Sequence, residues 1–401
     1  MPPSLDASAR GAFQEAFGDS PTASARAPAR VELLGNHTDY NGGLVLAAAI
    51  DRYTAVVGRA VPGREARVRS VNMEGIEAFP LDGDARGEQG SWGRYVQGVA
   101  WAVREAMGPL GSGFDVALAG DVPLGAGLSS SASLQAAMAL FLLQAGLVPG
   151  RSAELDDPGR MELAGILRRS ENEFVGVASG LLDQFSVLFG RAGHALTLDC
   201  LSLEYERLPL GDPAPAIVVC DSKTSRRLAD GMYDRRVAEC TTVVDYFRAR
   251  RGSAAVRLLR DVTAQELTSA WDELDPVGRR RARHVLRENE RVRRGADVLK
   301  AGDVAAFGAL MSASHASSRD DFANSSPALD ALIEAAEAAP GFLGGKLSGA
   351  GWAGCTVNLV APGRAEAFAE AVRSTYAGRT GTVPDVHICH AAGGAAGRPV
   401  D

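Results

Sequence analysis

The sequence predicts a mixed chain of helices and strands, α/β or α+β, divided into two lobes. Three observations carry this. The chain has 401 residues, more than one hydrophobic core usually organises. Stretches of strand alternation and of helical periodicity follow one another along its length. Glycine-bearing turns separate them, with 46 glycines available, and no tandem repeat interrupts the order.

Residues 2–29 are rich in Ala, Ser and Pro, with one helix expected near Ala12–Phe17. From Arg30 onward apolar stretches alternate with glycine turns. Phe114, Val116 and Leu118 alternate as in a strand. "GDVPLGAG" then leads into a helix whose Leu134, Met138, Phe141 and Leu142 recur at the spacing of a buried face. Gly146 and Pro149 close that helix. A second helix is expected over Met161–Phe174, with Leu163, Ile166 and Leu167 inward. "HALTLDC" (194–200) and "AIVVCD" (216–221) read as strands flanking a proline-containing turn. Helical stretches follow at 229–250, 279–300 and 303–317, and "CTVNLVA" (355–361) reads as a late strand.

Composition narrows the function classes. With 46% hydrophobic and 23% charged residues the chain is an ordinary globular one. A net charge of −7 gives no reason to expect nucleic acid as a partner. The five cysteines, Cys200, Cys220, Cys240, Cys355 and Cys389, are odd in number, scattered and never in a CxxC pair. That argues against a disulfide framework and a zinc site, and suits a reducing cytoplasm. "MPPSLDASARGAF" lacks the basic-then-apolar pattern of a signal peptide. The most apolar run, Leu134–Val148, is too short to span a bilayer and contains Gln135, Gln144 and Gly146. A soluble cytoplasmic protein without a membrane partner is expected. The basic run "GRRRARHVLRENERVRRGADVLK" (278–300) reads as a solvated amphipathic helix. Val285, Val292 and Leu299 share a face, Glu288 and Glu290 are at hand for the arginines, and no aromatics interleave for base stacking.

Three glycine-rich stretches carry the chemistry. In "PLGAGLSSSASLQAA" (123–137), Gly125 and Gly127 permit backbone geometry closed to other residues. A turn into a helix N-terminus offers unpaired N–H groups and the positive dipole end to a phosphate. Ser129, Ser130 and Ser131 add hydroxyls; the competing reading is an ordinary serine-capped helix. This is not a Walker A loop. The closest approach, "PGFLGGKLSG", has Pro340 in place of the first glycine and Leu347 in place of Ser or Thr. "GGKLSGAGWAGCTVNLV" (344–360) could bring backbone close to a ligand or to the serine loop, or form a tight hairpin. In "LLGNHTDYNGG" (33–43), His37, Asp39 and Tyr40 precede an Asn41-Gly42-Gly43 turn. They either brace that turn or meet the hydroxyls of a small polar ligand.

Taken in chain order, the stretches resemble the three motifs of the GHMP kinase superfamily, and the first, containing "LLGNHTDYNGG", is close to the galactokinase signature. "SENEFVGVASGLLDQF", "GHALTLDCLSLEYE", "YDRRVAEC", "RARHVLRENERV" and "SHASSRDDF" resemble galactokinases specifically. The resemblance implies an α+β fold: a ribosomal protein S5 domain 2-like lobe over 1–205, a ferredoxin-like lobe over 206–401, and a cleft between them. It implies ATP and Mg²⁺ as cofactors and phosphorylation of the anomeric hydroxyl of α-D-galactose to galactose 1-phosphate. Carried onto this chain, Asp183 and Arg30 would be catalytic, and Ser131 and Glu171 would hold Mg²⁺. Gly125, Gly127, Leu128, Ser129, Ser130, Ser131 and Ala132 would surround the ATP phosphates. The sugar would meet Asn36, His37, Asp39, Gly180, Asp183 and Tyr233, with Gly349 and Gly351 supporting from the third motif. A monomer or weak homo-oligomer is expected.

Some positions depart from the family pattern. Asn36 stands where galactokinases usually carry Glu, near the sugar's C6 hydroxyl. Glu only accepts a hydrogen bond, whereas Asn accepts and donates and removes a negative charge. Related acceptors (galacturonate, arabinose, N-acetylgalactosamine) are therefore the alternative substrates. Gln135 replaces a frequent Glu, and Ala350, Trp352 and Ala353 replace Gly, Phe and Gly. Two rivals are weaker. A non-catalytic sugar sensor would show a damaged serine loop or lack Asp183, Arg30 or Glu171, and all are intact. A kinase of mevalonate or homoserine would have no use for "HTDYNGG" and "YDRRVAEC".

Overall fold

The computed structural model describes residues 4–83, 86–88, 90–177, 179–224 and 231–400. Its first sheet is built from β1 (Ala23–Leu34), β2 (Leu44–Val61), β3 (Glu65–Ser70), β4 (Ile76–Pro80), β5 (Gly113–Gly120), β6 (His194–Asp199) and β7 (Tyr205–Pro209). β2 is 18 residues long, so it pairs with β6 through Leu44–Ala47 and with β5 through Thr54–Val61. The second sheet is antiparallel, with β8 (Ala216–Asp221), β9 (Phe342–Leu347), β10 (Cys355–Val360) and β11 (Asp385–Cys389) in the order β11-β8-β10-β9. The chain then returns to the first sheet, where β12 (Ala396–Pro399) pairs with β1.

Helix α1 (Leu5–Phe17) lies on β5 and β2 through Ala9 and Phe13. α2 (Gly93–Met107), α3 (Ser130–Gln144), α4 (Asp157–Arg169) and α5 (Leu182–Phe189) form a core with the first sheet. α3 has apolar or small residues on all sides, which is the pattern of a helix enclosed by protein. Its segment from Ala132 to Leu143 is almost wholly buried. Next come α6 (Met232–Arg251), α7 (Ala264–Ser269), α8 (Pro276–Lys300), α9 (Val304–Ser317), α10 (Pro327–Glu337) and α11 (Ala365–Thr380). α10 and α11 cover the face of the second sheet that carries Val218 and Cys220. The opposite face, with Ile217, Val219, Val357 and Leu359, shares a core with β1, β2, α8 and α9.

A register shift between Pro28 and Ala29 divides β1. Before it, Ala23, Ala25 and Ala27 pack into the core under α3; after it, Ala29, Val31 and Leu33 pack into the core shared with the second sheet. Strand alternation then turns Arg30 and Glu32 to the face opposite Val31 and Leu33. Both remain buried.

The strand at 113–120, the α3 helix and the three long helical stretches are where periodicity put them; residues 229 and 230 lie outside the described ones. Three expectations need correction. The helix near Ala12–Phe17 begins at Leu5, and β1 begins at Ala23, inside the stretch that composition alone marks as irregular. The helix expected from Met161 begins at Asp157, because Asp156 caps it and Pro158 occupies its first turn; it ends in a π turn over Ser170–Val175. The strands at 194–199 and 216–221 belong to different sheets, with β7 between them. Among the described residues no helix is long and apolar enough to cross a membrane. None of the five cysteines takes part in a disulfide.

Candidate active site

Arg30 is the fixed point of the site. Its Nε and Nη2 donate to Asp183 Oδ1 at 2.9 and 2.5 Å, and its Nη1 donates to the Gly127 carbonyl at 2.8 Å. Its backbone N–H reaches the Leu128 carbonyl. One side chain thus ties β1 to both the serine loop and α5. Asp183 lies in the first turn of α5, where the helix dipole favours negative charge. Its other oxygen accepts from the Ser129 hydroxyl. The Asp183 side chain is 25% exposed against 7% for Arg30, so the carboxylate faces outward and the guanidinium backs it.

The serine loop is bent as its glycines predict, with Gly125 and Gly127 at φ +74° and +79°. Ser129, at φ +56°, is the residue before α3, yet its side chain does not cap the helix because it is engaged by Asp183. The first-turn N–H groups, those of Ser130, Ser131 and Ala132 among them, are therefore left without a side-chain acceptor, a seat for an anion. Leu128 and Ala132 are buried and anchor the loop. The third motif packs directly on it: a Cβ at Gly349 would sit 3.5 Å from Gly127 Cα, and one at Gly354 would sit 3.5 Å from the Ala126 carbonyl. Gly351, at φ +93°, has no room for a side chain against the Asn324 backbone.

Glu171, in the π turn, is buried beside this loop. It accepts from Ser179 Oγ at 2.9 Å and Gln184 Nε2 at 2.6 Å, and the Ser131 hydroxyl is near enough to favour its ionised form. Burial, and then the charge of Asp183, push its carboxyl above the usual range. A carboxylate and a hydroxyl side by side suit a hard cation that prefers oxygen ligands and keeps much of its water.

The sugar-motif loop is held differently. His37 adopts φ +60° and is buried among Tyr40, Tyr233, Phe322 and Trp352, with ring centroids 4.4 to 6.0 Å away. Its Nε2 lies 3.0 Å from the Ala350 carbonyl, an acceptor only, so Nε2 carries the proton and Nδ1 accepts from the Tyr40 hydroxyl at 3.0 Å. Burial lowers its pKa to about 3, which keeps the ring neutral. Asp39 is pushed up to about 6, chiefly by burial, with Glu32 and Asp183 adding to the rise. Gly180 lies against the Asp39 carboxylate, where any Cβ would collide with it. Tyr233, in the first turn of α6, is enclosed, and burial raises its phenol. Of the six described non-glycine residues at positive φ, His37, Ser129, Ala323 and Trp352 all belong to this neighbourhood, the pattern of backbone strain kept at functional sites.

Asn36 is buried, and its amide is fully engaged by protein. Nδ2 donates to Glu32 Oε1 at 3.1 Å and to the Gly349 carbonyl at 2.8 Å; Oδ1 accepts from Asn324 Nδ2 at 2.8 Å and Ser318 Oγ at 3.4 Å. The amide and the imidazole expected to meet sugar hydroxyls, those of Asn36 and His37, are both hydrogen-bonded to protein. Their polar atoms already have partners in the loops and helices around them.

Comparison with known proteins fits this arrangement. Residues 11–60 match the galactokinase galactose-binding signature, 94–191 the GHMP kinases N terminal domain and 296–378 the GHMP kinases C terminal. A galactokinase from Roseiflexus sp. is 42% identical over 98% of this chain and 97% of its own. The human galactokinase is 40% identical over 93% of each chain. The chain belongs to the galactokinase family. Among solved structures, Lactococcus lactis galactokinase complexed with galactose superposes with a TM-score of 0.87 at 32% identity, over 96% of this chain and 98% of that one. A Methanococcus jannaschii mevalonate kinase, at 16% identity and a TM-score of 0.63, shares the fold. As a GHMP kinase phosphotransferase, a galactokinase of this kind uses ATP.

Several residues that shape this galactokinase site were not read as site residues in the sequence. Glu288, fully buried on α8, accepts from the backbone N–H groups of Gly35 and Asn36, from Ser314 and from Arg291. Burial opposes its ionisation, but Arg291, His284 and Lys346 outweigh that and hold it at about 2. Asn289 accepts from the Leu44 N–H, and His284 Nε2 donates to the Asn36 carbonyl. The run read as a solvated charged helix thus grips the sugar loop with one face. The signal lay in its spacing: Arg281, His284, Glu288 and Asn289 fall on the same side as Val285 and Val292.

Proposed function

We propose that this galactokinase-family chain transfers the γ-phosphoryl group of ATP to the anomeric hydroxyl of D-galactose, giving galactose 1-phosphate. The observation that carries the reading is Asp183, a partly exposed carboxylate gripped by Arg30 and Ser129 beside a helix start without a side-chain cap. Phosphoryl transfer is mainly a matter of position and charge neutralisation. In this reading the sugar O–H donates to Asp183, which aligns it and takes its proton as the new O–P bond forms. Arg30 keeps that carboxylate ionised and places positive charge beside the transferring group. The α3 N–H groups and the hydroxyls of Ser130 and Ser131 hold the phosphates, in a loop shaped by Gly125, Gly127, Leu128, Ser129 and Ala132 and supported by Gly349 and Gly351.

Ser131 and Glu171 fit Mg²⁺, which when bound offsets phosphate charge. Asp39, Tyr233 and Gly180 form the sugar's surroundings with Asp183. His37 and Asn36 act through the loop they brace. The same proposal takes 1–205 and 206–401 as the two lobes, a monomer or weak homo-oligomer as the working form, and the cytoplasm as its compartment. The test is a panel of galactose, galacturonate, arabinose and N-acetylgalactosamine with ATP, followed by locating phosphate on the product. Galactose is expected to give the highest kcat/KM, with phosphate on C1. Preference for another acceptor, or phosphate elsewhere, overturns the reading.

A further inference from the structure

Beneath the sugar loop lies a buried ion pair that the proposed chemistry does not use. Lys346 on β9 and Glu32 on β1 have side-chain exposures of 0% and 6%. Lys346 Nζ donates to Glu32 Oε1 at 2.7 Å and to the Leu347 carbonyl at 2.9 Å. The same Glu32 oxygen accepts from Asn36 Nδ2. The orientation of the Asn36 amide is chemically forced, because Glu32 and the Gly349 carbonyl are acceptors only and its NH₂ must face both. A carboxylate at position 36, the usual family residue, would set oxygen against oxygen here. In this chain the acid stands four residues earlier, one hydrogen bond from the Asn36 side chain.

We infer that Glu32, Asn36 and Lys346 form one positioning unit that ties the sugar loop to the glycine-rich loop at 349–351, and that Glu32 supplies the charge position 36 lacks, so that preference for galactose is kept rather than widened. The inference rests on galactose being the acceptor. Asn36 holds Gly349, the next residue Ala350 holds His37, and His37 packs on Tyr233. A shift of the amide therefore moves both the loop and the ring beside the sugar's place. Positions 32 and 36 become interdependent. Glu at 36 alone puts two carboxylates on one buried lysine, whereas Asn at 32 alone leaves that lysine without its counter-charge. Exchanging both restores one acid, one amide and one lysine.

The experiment is a double-mutant cycle in the full chain: wild type, Glu32→Asn, Asn36→Glu and the double exchange. It reads galactose KM, ATP KM, kcat and thermal midpoint. Each single variant is expected to raise galactose KM by about tenfold with ATP KM within about twofold, and the double to return within about threefold of wild type. Glu32→Gln, read separately, is expected to relax discrimination against galacturonate by about tenfold. Losses in the double that equal the product of the single losses overturn the unit, as does Asn36→Glu alone binding galactose as well as wild type. Unchanged galacturonate discrimination in Glu32→Gln removes the specificity role. If a single variant fails to fold, a folded double with a normal galactose KM supports the inference, and a double as damaged as that variant overturns it. Wild-type turnover with galactose is scored first. Should it fail, the thermal midpoints still report the coupling, so the two failures can be told apart.

Discussion

The two ends of the site satisfy their polar groups in opposite ways. Around the serine loop, capacity is left open: the α3 start has no side-chain cap and Asp183 is 25% exposed. Around the sugar loop, capacity is used up: His37 has both ring nitrogens bonded and Asn36 its whole amide. The difference teaches where each ligand draws its binding energy. An anion can settle on backbone donors that lack partners in the free protein. A sugar instead meets a frame already rigid, and its recognition falls chiefly to Asp39, Tyr233 and the exposed edge of the Asp183 carboxylate.

The comparison can be broken first at the open end. Arg30→Ala removes the cation that backs Asp183 and spans to Gly127, and is expected to cut kcat by about a hundred- to ten-thousandfold, in the range of a lost catalytic proton-transfer or charge-stabilising group. Steady-state turnover together with circular dichroism checks this, since the fold should persist. At the committed end the larger loss is in stability. Glu32→Ala leaves Lys346 charged and unpaired in the interior, and should cost about 3–5 kcal/mol in denaturant unfolding. A loss under 1 kcal/mol, a figure typical of an exposed pair, would place the pair outside the frame.

Two smaller effects sharpen the contrast. Glu171→Gln should raise the Mg²⁺ concentration for half-maximal rate by about tenfold, with galactose KM little changed. The last concerns pH. The folded Asp39 carboxyl, at about 6, lies above the ordinary aspartate value of 3.8. Between those values the folded protein holds a proton that the unfolded chain has released. This contribution is complete below the unfolded value and is lost as pH rises through the folded one. Asp39→Asn should therefore gain stability relative to wild type as pH rises from about 4 to 6, and hold that gain above it. Galactose binding runs the other way: the ionised carboxylate accepts sugar hydroxyls, so wild-type KM should fall as pH passes about 6. A parallel pH profile in the variant would contradict the assignment.

Much of the fold was legible because period and punctuation agreed. α3 shows its buried spacing between a glycine turn and Gly146, and β5 alternates cleanly. β1 was only partly legible, since the alanines and Pro28 of its first half look irregular until β2 and β12 pair with them. At the site, the family resemblance of the motifs pointed to Arg30, Asp183, the serines and Glu171, and the fold brings these residues close together. What stayed hidden was long-range satisfaction. Nothing near Asn36 in the chain says that its partners are Asn324, Ser318 and Gly349, or that Lys346 sits against Glu32. Nor does a charged helix announce that Glu288 is its buried grip on the backbone at 35–36.

The central claim is that one carboxylate, Asp183, meets the reacting sugar oxygen beside phosphates held on the serine loop. Its most direct test follows ³¹P signals with galactose, ATP and Mg²⁺ for wild type and Asp183→Ala, alongside ATP affinity by calorimetry. The account predicts galactose 1-phosphate from wild type, and in the variant a rate lower by about a hundred- to ten-thousandfold with ATP affinity retained. A near-normal rate from the folded variant would contradict it.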